Sequence, residues 1–139
     1  MAVPVSFLEN PQRIEVIVTS PDGATRMFVH TGIAVVQFAS TPGATIATSE
    51  TFTFLLEPTF SPGQFRRAIA NASLAGYFLA TQNITQILGA TLEVTSADAD
   101  WDDESGRVEV RINARVGATQ GGDARITRFA YHVTVLAAL

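Results

Sequence analysis

The sequence contains no cysteine and no lysine. Without a thiol there are no disulfide staples, no thiolate nucleophile and no cysteine-ligated metal, although the compartment stays open. Without lysine, all nine basic residues are arginine, a bias that a GC-rich genome produces as readily as a function does. Charge of either sign is scarce, at 16% of residues, against about 25% in an ordinary soluble domain. The formal net charge is −4, so the basic stripe that neutralises phosphates is missing and nucleic acid is not expected as a partner. No apolar run reaches the roughly 18 residues of a membrane helix, so no membrane span is expected. Residues 1–11 carry neither a positive segment nor a long apolar stretch, which predicts cytoplasmic synthesis without a signal peptide. Gly-x-Ser-x-Gly, H-E-x-x-H and phosphate-loop patterns are all absent. No catalytic residue is assigned, and a non-enzymatic protein is expected.

What is present is apolar surface. At 139 residues the chain is long enough for one domain that removes roughly two-thirds of its surface from water. Its mean hydropathy is +0.23. With so little charge, a partly covered surface is the better expectation, and hence a homo-oligomer. Residues 1–11 read as an apolar N-terminal arm (Val3, Val5, Phe7, Leu8) in which Pro4 and Pro11 oppose regular pairing. Residues 12–139 read as a single sandwich domain.

The clearest periodicity runs from Arg107 to Val116. Val108, Val110, Ile112, Ala114 and Val116 alternate with polar residues, the pattern of a half-buried strand. Further strands are expected over Arg13–Thr19, Thr25–Thr31, Ile33–Phe38, Thr45–Glu57, Ile84–Ser96 and Arg125–Leu136. Turn chemistry lies at Ser20–Gly23 and Thr41–Gly43, and a break or bulge is expected at Gly32. Ser61 as N-cap and Pro62 at the first helical position predict a short helix over about 62–75, followed by a strand from Tyr77. Period two along Ala68, Ala70, Ala72 and Leu74 offers a strand instead. The last three strands read as a meander, because their loops are shorter than a parallel crossover. Charge pairing predicts Glu93 beside Arg111, and Phe129 opposite Ile112 with Glu109 facing His132. About eight short strands predict a two-layer antiparallel β-sandwich, with a β-barrel as the alternative.

The sharpest chemical signal is the acidic segment from Asp98 to Glu109. Asp98, Asp100, Asp102 and Glu109 occupy positions one, three, five and twelve of a calcium-loop spacing, which would make them metal ligands. Position six holds Asp103 where the sharp turn needs glycine. Trp101 among Asp100, Asp102 and Asp103 also suits a carbohydrate or small-ligand site, with a flat apolar face for a sugar ring and acceptors for its hydroxyls. Glu93, Glu109, Arg111, Arg128 and His132 would share one polar face, an arrangement that acid–base chemistry could use. The leading functional expectation is a structural or interaction protein that self-assembles. The alternative is a lectin-like module using the Trp101 loop, assisted by calcium.

Overall fold

A computed structural model describes residues 2–41, 47–81, 89–119 and 122–139, and every regular element in them is a strand. In chain order these are β1 (Ala2–Pro4), β2 (Phe7–Ser20), β3 (Gly23–Ala39), β4 (Thr48–Leu56), β5 (Phe65–Thr81), β6 (Ala90–Trp101), β7 (Val108–Ala118) and β8 (Gly122–Ala138). They form two four-stranded sheets, β1-β4-β7-β6 (sheet I) and β2-β3-β8-β5 (sheet II). The sheets pack face to face as a β-sandwich and do not close into a barrel. The turn signal at Thr41–Gly43 and the start of the strand expected from Ile84 extend outside the described residues.

The core lies between β7 and β8, the inner strands of the two sheets. Val108, Val110, Ile112, Ala114 and Val116 from β7 are buried, as are Phe129, Tyr131, Val133 and Val135 from β8. Aromatic rings of β4 pack in tilted pairs across the gap against β8, with Phe52 5.8 Å from Phe129 and Phe54 4.8 Å from Tyr131 between ring centroids. Alternation on β8 is broken near Thr127, where the bulges at Val35/Phe38 on β3 and Leu74–Tyr77 on β5 shift the phase. Ile126 is therefore buried and Thr127 is not, the reverse of strict period two.

Several sequence expectations are corrected. No helix forms over 62–75: from Phe65 the chain pairs with β8 as an antiparallel strand. Ala70 is buried and Ala72 and Leu74 pack on the core, while Ile69, Asn71 and Ser73 face out. Both periods fitted these small side chains. The strand prevails because it supplies ladder partners to the edge of β8, which a helix would leave unpaired. The Ser61 signal serves a turn instead, with the Gln64 amide donating to the Ser61 carbonyl and the Ser61 amide donating to Gln64 Oε1. Nor do the last three strands form one meander, because β6 and β7 make a hairpin in sheet I while β8 crosses to sheet II. Glu93 pairs with Arg115 rather than Arg111, and the strand neighbours of Phe129 within its sheet are Ala34 and Leu74 rather than Ile112.

The first residues enter both sheets. Pro4 is tolerated in β1 because this strand lies at a sheet edge, and β1 runs parallel to β4 before the chain crosses over at Val5 and Ser6. Pro11 sits in a bulge between Glu9 and Gln12, beside Asn10 with φ 48°. Gly32 is no break, since β3 runs through it. A Cβ there would lie 2.5 Å from the Tyr131 hydroxyl oxygen, so the missing side chain makes room for that ring. Ile112 is fully buried at the sheet interface. Ile112→Ala should cost about 2–5 kcal/mol, read as a lower urea midpoint with an unchanged slope.

Candidate functional site

The acidic segment is a hairpin rather than an open loop. β6 continues to Trp101 and pairs with Val108, so Asp98 and Asp100 are strand residues opposite Arg111 and Glu109. The connection is closed by the Asp102 amide donating to the Arg107 carbonyl and the Gly106 amide donating to the Asp102 carbonyl, both at 2.8 Å. Gly106 takes φ 71°, a left-handed turn position suited to glycine. Asp102 Oδ2 accepts the Ser105 hydroxyl at 2.5 Å and its amide at 3.1 Å. These bonds hold its carboxyl below the usual carboxylate range. On the outer face Glu109 meets Arg111 at 2.7 Å, and that contact, with Asp98 and Asp100 nearby, raises the guanidinium pKa.

Asp98, Asp100, Trp101, Asp102, Glu109 and Arg111 line a polar recess of about 170 Å³. Asp98, Asp100, Asp102 and Glu109 thus share one end of sheet I, but among the described residues no group of three or more His, Asp or Glu is placed to hold a metal ion. Asp103 lies in the turn outside the recess lining. Trp101 packs on the core, and its indole N–H is buried without an acceptor among the described residues.

The expected polar face is not assembled. Glu93, Glu109 and Arg111 belong to sheet I, whereas Arg128 and His132 lie on β8 in sheet II. His132 is flanked by Thr31 and Asn71, and Arg128 contacts Glu9 at 2.7 Å.

A second cavity was not anticipated. β1 covers only the Thr51–Thr53 stretch of β4, so beyond the crossing at Val5 and Ser6 one side of the sandwich is open. A cavity of about 260 Å³ occupies the opening, with Arg13, His30, Tyr131 and Arg107 supplying polar groups and Leu8 and Leu55 among its apolar walls. His30 is only 5% exposed. Burial, reinforced by the neighbouring Arg13 charge, lowers its pKa from 6.5 to about 4, so the ring is neutral at neutral pH. Burial pushes the Tyr131 hydroxyl pKa up. Arg107 reaches the Leu55 carbonyl and Glu57 Oε1, each at 3.3 Å, while its Nε has no acceptor among the described residues. The available signal was Phe28, His30 and Gly32 on one strand face, a histidine and a glycine in phase with a buried phenylalanine.

Comparison with known proteins returns no match, whether to a family, a curated protein or a solved structure. The functional reading therefore rests on the geometry.

The buried histidine sets a pH dependence. In the unfolded chain it takes up a proton near pH 6.5, whereas the folded ring resists protonation down to about pH 4. Its contribution to stability is complete above 6.5 and is lost as pH falls through that window. Urea midpoints should fall as pH is lowered from 6.5, and His30→Gln should flatten the upper part of that fall.

Proposed function

We propose that the chain is a non-enzymatic structural subunit that self-associates through the outward face of sheet II. One observation carries this reading: the outer face at the β2 turn end is aliphatic where a sandwich normally presents polar side chains. The registers place Ile14 beside Val29, then Thr134, then Ile69, and in the next row Val16 beside Met27, then Leu136. Val18 extends the patch. Ile14 is 62% exposed, Ile69 50%, Val18 47% and Val16 40%. Met27, Val29 and Leu136 are half-buried between them.

Burying a Val, Leu or Ile side chain fully is worth about 1.5–3 kcal/mol, so a patch of this size can offset the roughly 4–15 kcal/mol lost in association freedom. A second copy presents the same aliphatic rows, with Arg67 beyond Leu136 as the charged end of the second row, so a two-fold face-to-face contact can match apolar to apolar.

The hairpin reading, in which Trp101 and the acidic residues bind carbohydrate or calcium, draws less support. Asp102 is engaged by Ser105, Glu109 by Arg111, and the Trp101 ring by the core.

Sedimentation from low to high micromolar concentration tests the proposal. The expected result is a dimer or larger species that Ile14→Asp converts to monomer without loss of the strand circular dichroism. Ile17→Asp, on the opposite face of the same strand, should leave the mass unchanged. A monomer at every concentration, or equal dissociation by both variants, would contradict the reading.

A further inference from the structure

We infer that the side opening between β2 and the end of β4 is a binding site for a small monocarboxylate with an apolar body. The opening carries unmatched charge. Arg26, Arg111, Arg115, Arg125 and Arg128 each lie within 3.0 Å of a carboxylate, at 2.7–2.9 Å. Arg13 makes no ion pair or side-chain hydrogen bond among the described residues. Its guanidinium lies 6.0 Å from the Phe28 ring centroid, at the same cavity that His30 and Tyr131 line. Among the described residues the only acidic one lining this cavity is Glu57, whose side chain is 63% exposed and meets Arg107 at the long distance of 3.3 Å. Two guanidinium groups against one carboxylate leave one net positive charge. That charge matches a monoanion.

Shape and polarity select the rest of the ligand. Leu8, Pro11, Leu55 and Leu56 give the cavity apolar walls, and its volume of about 260 Å³ lies just below the usual range of roughly 300–1,000 Å³ for ligand pockets. The neutral His30 ring and the Tyr131 hydroxyl can exchange hydrogen bonds with a carboxylate or an attached hydroxyl without adding charge. An arginine without a carboxylate partner presents planar, paired donors that fit a carboxylate in two-point contact. The cavity exists because β1 is three residues long and because Gly32 lets the Tyr131 ring reach toward β2. The outer patch is separate: Arg13 and Ile14 are consecutive on β2 and point to opposite faces.

The test is an NMR titration of the intact chain with benzoate, and with benzyl alcohol as the uncharged counterpart. Benzoate should shift the His30 and Tyr131 ring resonances saturably, and Arg13→Gln or Arg107→Gln should each weaken binding about tenfold, the loss expected for a hydrogen bond to a charged group. Arg13→Gln breaks no hydrogen bond or ion pair and removes only the 6.0 Å approach to the Phe28 ring, so it remains informative if Arg107→Gln is unstable. Ile14→Asp should bind benzoate like the parent chain. The inference is overturned if benzoate causes no shift, if benzyl alcohol shifts the same resonances with equal affinity, or if Arg13→Gln binds benzoate as well as the parent chain.

Discussion

Everything in this sandwich depends on the apposition of two strands that are consecutive in sequence but belong to different sheets. The inward row of β7, centred on Ile112, faces the inward row of β8, centred on Phe129 and Val133, and all of these side chains are buried. Each strand is central in its own sheet, so β4 and β6 are positioned by β7, and β3 and β5 by β8. Removing this contact would leave two open sheets, neither with a covered face.

The functional features arise where that arrangement runs out of chain. Sheet II is built from strands of 14 to 17 residues, whereas sheet I has strands of 3 to 12 residues. The longer sheet therefore overhangs. Near the β2 turn end its outer face carries the aliphatic rows, and where β1 stops short its inner face opens onto the cavity around His30. The mismatch of strand length accounts for the opening around His30, whereas the aliphatic outer rows are set by the sequences of β2, β3, β8 and β5 alone. The acidic hairpin lies at the end of the better-paired half of sheet I, where its charges are bound up in turn and cross-strand contacts.

The fold class was legible because alternation is a local property: Val108 to Val116 reads correctly with no knowledge of its neighbours. Partner choice was not legible. A short loop between β7 and β8 fits a hairpin and a sheet-to-sheet crossing equally well, and only tertiary packing separates them. Charge pairing failed as a guide to register because Arg111 and Arg115 are both satisfied: Arg115 meets Glu93 at 2.9 Å, and Arg111 meets Glu109 on its own strand. The hairpin turn at Asp102 and Gly106 fixes the register from Trp101 to Ser96, and a bulge between Val94 and Ser96 shifts it by one residue so that Glu93 meets Arg115. The segment after Ser61 was misread because alanines fit both periods and the unpaired edge of β8 decides between them. Of the candidate site, the acidic residues were seen to be adjacent, but their commitment to Ser105 and Arg111 required coordinates. The His30 cavity joins β2, β3, β4 and β8 with the Arg107 turn, a convergence that no local pattern encodes.

The central claim, that the outer face of sheet II is an interface, can be tested on single methyl groups. Ile14 and Ile69 lie on that outer face, and Ile17 lies on the inner face of the same β2 strand. With a dissolved paramagnetic agent in the buffer, raising the protein concentration should progressively shield the Ile14 and Ile69 methyl signals while Ile17 stays bleached. Equal bleaching of all three at every concentration would contradict the account.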